Sequence, residues 1–110
     1  MTVLEVLTRA RAILIEHGWC KKHLEMDGKY CASGSLMMAI AGSTNIPFHS
    51  LPLDEWHGAM LALHDTLHGM DYYKSVPDFN DQSELEDVLG LFDTTIRRLE
   101  DEAAAHSTST

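Results

Sequence analysis

Only two cysteines, three prolines and eight basic residues occur in this chain of 110. Two thiols, Cys20 and Cys31, cannot build the disulfide framework on which small secreted domains rely, so both are expected to be reduced. Long apolar runs are missing too. Residues 30–53 hold no Asp, Glu, Lys or Arg, but Ser33, Ser35, Ser43, Thr44, Asn45 and Ser50, with Pro47 and Pro52, break the segment. The apolar run Leu36–Ala41 is far short of the ~20 residues that a membrane span needs. The N-terminus has no basic start, and Glu5 and Arg9 interrupt its apolar stretch, so no leader is expected and a cytoplasmic location follows. Basic charge is scarcest in the second half. Residues 1–53 carry five basic and four acidic groups, whereas residues 54–110 carry three against thirteen. A phosphate backbone would be repelled there, which argues against ordinary nucleic-acid binding; such a face is most simply a solvated surface, and it can also meet a basic patch on a protein partner or mimic the charge of DNA.

An apolar content of 45% with 23% charged residues is that of an ordinary globular domain. The residues present spell helices. Thr2 with Glu5 has the form of a capping box, and Val3, Leu7, Ala10, Leu14 and His17 follow at three- and four-residue steps until Gly18. A connector from Trp19 to Tyr30 contains an Asp27-Gly28 turn. A short second helix is expected over Ala32–Ala41, apolar nearly all round and therefore central, with Gly42 ending it. Ser43–Leu51 reads as a loop. Leu53, Trp56, Met60, Leu63 and Leu67 mark the core stripe of a third helix over Leu53–His68, and an exposed continuation of that stripe would suit a homodimer. Met70–Asn80 reads as a second loop. Ser83 with Glu86 suggests another capping box ahead of a last helix carrying Leu85, Val88, Leu89, Phe92, Ile96, Leu99 and Ala103. The expectation is an all-α fold: one domain over residues 1–105, about four helices in a compact bundle, and a disordered tail over 106–110.

The most specific cluster of chemically capable side chains is His17, Cys20, His23 and Cys31. Two imidazoles and two thiols suit tetrahedral zinc, although the order of ligand types departs from the usual cysteine pair followed by a histidine pair. Against this, Cys20 and Cys31 also read as small buried hydrophobes and His17 as a residue favoured at a helix C-terminus. On the third helix, His57, His64 and His68 fall within roughly 40° of one another on a helical wheel. His64-Asp65-Thr66-Leu67-His68 resembles the metalloprotease helix motif, but with an aspartate too short to reach a metal-bound water and without a third ligand. No glycine-rich phosphate loop, ordered Ser/His/Asp set or activated cysteine is legible, so no catalytic residue, cofactor or resident metal is expected.

Three motifs carry a wider likeness: His17-Gly18-Trp19 at the end of the first helix, Cys31-Ala32-Ser33-Gly34-Ser35-Leu36 at the start of the second, and Asn80-Asp81 before the last. Together they resemble a family of small actinobacterial and actinobacteriophage proteins of unknown function, over nearly the whole chain and most weakly in its middle third. The resemblance implies a bacterial or phage-infected cytoplasm and brings no activity with it. On the residues alone, Gly18 can turn so that Trp19 folds back on the core, Gly34 lets another helix come close, and Asn80 and Asp81 suit the entry to the last helix. The resulting expectation is a non-enzymatic interaction protein whose acidic last helix, with Glu84, Asp87, Asp101 and Glu102, meets a protein partner. The alternative is a small domain stabilised by zinc on His17, Cys20, His23 and Cys31.

Overall fold

The Thr2 hydroxyl accepts the Glu5 N–H at 3.1 Å while the Glu5 carboxylate accepts the Thr2 N–H at 3.2 Å, and this reciprocal pair opens α1, Val3–His17, in the computed structural model. The structure describes residues 1–108. The Thr2 N–H and, at 3.0 Å, the Thr2 hydroxyl both donate to the Glu5 carboxylate and hold it below its ordinary pKa. Thr2→Ala is expected to lower stability by about 1 kcal/mol, read by urea unfolding at pH 7. A depressed carboxyl supports folding above its unfolded pKa and loses that support as pH falls through the folded value. The gap between wild type and variant therefore narrows in acid.

Next in the chain, Asp27 and Gly28 both adopt positive φ, 54° and 77°, as a two-residue hairpin turn requires. They join β1, Glu25–Met26, to β2, Lys29–Tyr30, with Glu25 opposite Tyr30 and Met26 opposite Lys29. On the other edge of β2, Trp19 forms a parallel bridge with Tyr30. The fold is thus mostly helical rather than all-α. Paired stretches of two residues are too short for a strand's alternation to register in a sequence.

α2, Ala32–Ala41, is buried on nearly every side as its composition demands. A 3-10 turn over Phe48–Ser50 leads into α3, Leu53–Gly69. The core face of α3 is formed by Ala59, Ala62, Leu63, Thr66 and Leu67, while Leu53, expected in the stripe, is 40% exposed. A further helix, α4, Val76–Gln82, occupies part of the segment expected to be loop. Ser75 caps it by accepting the Asp78 N–H at 3.2 Å, and Pro77 sits in the first turn, where a missing N–H costs nothing. Seven residues make barely two turns, so periodicity could not announce it. Five helices, not four, stand among the described residues.

α5, Leu85–Thr108, starts one residue away from the expected box: the Glu84 N–H donates to the Asp87 carboxylate at 3.0 Å, and Ser83 closes α4 instead. The helix continues to Thr108, and the remainder of the tail expected over 106–110 lies outside the described residues. Val6, Leu7 and Leu14 of α1, Leu36 of α2, Leu63 and Leu67 of α3 and Phe92 of α5 form the fully buried centre. Within it the Thr66 and Thr95 hydroxyls meet at 2.7 Å between α3 and α5, and at its partly exposed edge Arg11 of α1 pairs with Asp93 of α5. No helix among the described residues is long and apolar enough to cross a membrane.

Candidate functional site

The three motifs singled out in the sequence meet at one place, the N-terminus of α2. Gly18 adopts φ 101° with extended ψ 171°, a conformation open only to glycine, and so turns the chain out of α1 into an extended run. There the Tyr30 N–H donates to the Gly18 carbonyl and the Cys20 N–H donates to the Tyr30 carbonyl, each at 3.1 Å. The next rung of such a parallel ladder would join the Ala32 N–H to the Cys20 carbonyl. Instead the Asn80 carboxamide from α4 stands between them. Its Nδ2 donates to the Cys20 carbonyl at 3.1 Å and its Oδ1 accepts the Ala32 N–H at 3.0 Å. The same Oδ1 accepts the Trp19 indole N–H at 2.6 Å. Asn80 is 1% exposed and does not cap its own or the following helix, as its place in the sequence suggested; it splices α1, the hairpin, α2 and α4 together.

Its neighbour Asp81 accepts the backbone N–H of Lys22 at 2.7 Å, holding the 20–24 segment, where Lys22 takes a positive φ of 69°. Gly34 does provide a close approach, but to backbone rather than to a helix: a Cβ there would lie 1.9 Å from the Leu24 carbonyl oxygen. These contacts leave a recess of about 150 Å³ whose walls include Lys22, His23, Leu24, Cys31, Ser33 and Asp81. Ser33 is 5% exposed, and its hydroxyl has no hydrogen-bond partner among the described residues. The motifs contained Ser33 and Asp81, but nothing in the residue pattern brought them together with Lys22, because their association depends on the loop folding back over α2.

The four residues of the zinc alternative, His17, Cys20, His23 and Cys31, do not gather. His17 is exposed at the end of α1, edge-on to Tyr30 with ring centroids 5.9 Å apart. The Cys20 thiol donates to the His23 carbonyl at 3.3 Å, and the His23 side chain is exposed. Cys31 is the N-cap of α2, its sulfur accepting the Gly34 N–H at 3.3 Å. Among the described residues no group of three or more His, Cys, Asp or Glu side chains is placed to hold a metal ion. The positive φ of Gly18 carries the chain away from His17, and this direction could not be read from spacing. What does come together is the thiol pair. Burial, then the proximity of Cys31, pushes the Cys20 thiol up from its ordinary pKa; burial likewise pushes Cys31 up, against the N–H groups of Gly34 and Ser33.

A second region lies on the outer face of α3. His64 and His68 rings stand 4.4 Å apart, and Tyr73 from the following loop lies 5.3 Å from His68. His57 and His64, with Met60, Leu61, Ser75 and Val76, line a groove of about 300 Å³ between α3 and the start of α4. Leu61 is 61% and Tyr73 71% exposed, the two most exposed large hydrophobic side chains described. Asp54, Asp65, Asp71 and Asp78 are all exposed around this face, with Lys74 the nearby base.

On α5, the expected contact residues Glu84, Asp87, Asp101 and Glu102 are exposed. They do not form one continuous face. Glu84 and Asp87 sit at the helix start, where acidic groups suit the helix dipole and Glu84 lies 3.8 Å from Lys21, whereas Asp101 and Glu102 are four turns away. Arg98 turns inward to donate to the Ala62 carbonyl at 2.9 Å.

Set beside known proteins, residues 1–98 match the model of a family of unknown function, DUF6197, and the chain belongs to that family. No curated protein and no solved structure matches it. The matched span takes in α1 to α4 and most of α5, and with them every residue of the recess and of the α3 face.

Proposed function

We propose that this protein is a non-enzymatic recognition module of a bacterial or phage-infected cytoplasm, and that the outer face of α3 is where it grips a protein partner. The observation that carries this reading is the pairing of Leu61 and Tyr73, more than half exposed, beside a groove with room for an inserted side chain. Exposed apolar and tyrosine side chains grouped beside a pocket are the composition of interaction hot spots, whereas a solvated face has no use for them. The acidic rim selects the occupant. Asp54, Asp65, Asp71 and Asp78 favour a basic segment of another protein carrying one apolar or aromatic anchor, and the net charge of −9 disfavours a second copy of this chain. The acidic residues of α5 then serve to steer the approach rather than to anchor it.

The test uses synthetic lysine-rich peptides with and without a single leucine or tryptophan, titrated by fluorescence anisotropy. Anchored peptides are expected to bind more tightly than unanchored ones. Leu61→Glu is expected to weaken that binding at least about tenfold, equivalent to ~1.4 kcal/mol, with unfolding free energy unchanged within ~0.5 kcal/mol. Charge reversal at Glu84, Asp87, Asp101 and Glu102 should alter only the salt dependence. Equal affinity for both peptide types, or a Leu61→Glu variant that binds like wild type, overturns the assignment of this face.

A further inference from the structure

His64 and His68 stand one turn apart on α3, and their ring centroids lie 4.4 Å from each other. Two imidazoles that share a metal ion at bond lengths of about 2.1 Å bring their centroids to roughly 4.5–5.2 Å, for nitrogen–metal–nitrogen angles of about 90–109°. Small rotations about the side-chain bonds therefore let the pair grip one ion, with no movement of the helix. Two histidines spaced by four on one helix face serve the zinc-binding helix motif for the same reason. Tyr73 packs against His68 with ring centroids 5.3 Å apart, and its hydroxyl donates to the Asp71 carboxylate at 3.1 Å, which limits the freedom of the His68 ring.

The surroundings favour positive charge. His68 lies in the last turn of α3, where the helix dipole presents its negative end. The exposed carboxylates of Asp65 and Asp71 flank the pair along the chain, and Lys74 is the nearby opposing charge. Among the described residues no third His, Cys, Asp or Glu joins the pair into a closed site, so water fills the remaining positions and the ion is exchangeable rather than resident. We propose that His64 and His68 form a two-imidazole site for a divalent late transition-metal ion, Zn²⁺ or Ni²⁺ rather than Mg²⁺ or Ca²⁺. The acidic face attracts any cation, and the two rings select among them, because imidazole nitrogen suits the first pair of ions and oxygen ligands the second. His57 marks the limit of the site. It lines the same groove as His64, but the seven residues between them correspond to a rise of about 10 Å along the helix, too far to share the ion. The site needs no peptide and does not rest on the partner reading of this face.

The test is calorimetric titration of the tag-free, reduced protein with nickel chloride. Saturable binding of one ion per chain is expected, and it should persist in about a hundredfold excess of Mg²⁺. His64→Ala and His68→Ala should each weaken it at least about tenfold, because a single imidazole cannot chelate, whereas His57→Ala and His17→Ala should bind like wild type. His64 is half-buried and His68 exposed, so neither substitution empties the core, and circular dichroism confirms that both variants keep their helicity. Absence of saturable binding in the wild type, displacement by Mg²⁺, or equal weakening by His57→Ala overturns the site. Binding that survives His64→Ala but is lost in Cys20→Ser or Cys31→Ser places the ion on the thiols and overturns it as well.

Discussion

Asn80→Ala lowers the unfolding free energy by about 4 kcal/mol, the largest effect expected of any polar substitution in this chain. The Asn80 side chain is 1% exposed and joins four groups: the Trp19 indole N–H, the Ala32 N–H, the Cys20 carbonyl and the Asp81 carboxylate. Alanine removes the partner of each. Of the four, the Ala32 N–H and the Cys20 carbonyl lie at the junction of α2 with the ribbon, where leaving a buried polar group unpaired costs about 1–3 kcal/mol. The gain in helix propensity within α4 returns only ~0.5 kcal/mol. Urea unfolding followed by tryptophan fluorescence checks the magnitude, and a loss under ~1 kcal/mol would show that the splice is replaceable.

Asn80→Asp separates the donor from the acceptor. The aspartate keeps oxygens for Trp19 and Ala32 but sets a negative charge against the Cys20 carbonyl and Asp81. Burial and that neighbour raise the folded-state pKa of the new carboxyl above its unfolded value. The folded state then binds more protons between the two values, so the variant's deficit relative to wild type is full at neutral pH and shrinks as pH falls through the folded pKa. A deficit that does not depend on pH would mean that the carboxyl reaches solvent.

The second large effect is expected at Gly34, where alanine should cost about 3 kcal/mol although it is the better helix former by ~1 kcal/mol. A Cβ at this position would stand 1.9 Å from the Leu24 carbonyl oxygen and 2.8 Å from its carbonyl carbon. The obstacle is backbone, and Leu24 is tied in turn: its carbonyl accepts the Cys31 N–H at 3.3 Å. The hairpin must move off α2 or α2 must unwind. Gly90→Ala is the matched control. It lies exposed on α5 with nothing within 4 Å of the place a methyl group would occupy, so alanine there is expected to stabilise by about 0.5–1 kcal/mol. The opposite signs, read from chemical denaturation of the two variants, isolate the steric term. Because Gly34 and Asn80 hold the same junction, the double variant should lose less than the sum of the singles.

The contrast between these two glycines shows where sequence reading stops. The sequence marked Gly34 as a point of close approach, but to another helix; only the arrival of the 20–24 segment over it shows that the neighbour is backbone. The thiols follow the same rule. The residue types and spacings of His17, Cys20, His23 and Cys31 were visible, and they suggested one metal centre. The structure keeps only the two cysteines adjacent, because one positive φ at Gly18 sends the chain away from His17. The histidine edge of α3 was legible by its helical spacing. Its exposed companions Leu61 and Tyr73 were not, because Tyr73 comes from the next loop.

By itself the sequence determined the helices whose signals are local and repeated. α1 with its capping box, the apolar α2 and the bodies of α3 and α5 follow from caps and from three- and four-residue steps, which are properties of neighbouring residues. Tertiary structure alone decided the rest: the two-residue strands, the seven-residue α4, and the side chain of Asn80 serving as a rung between Cys20 and Ala32. The Asn80 rung joins groups 60 residues apart, and α4 rests on α2 and α3. Short elements cannot bury enough surface or make enough hydrogen bonds on their own, so their existence depends on the fold that receives them.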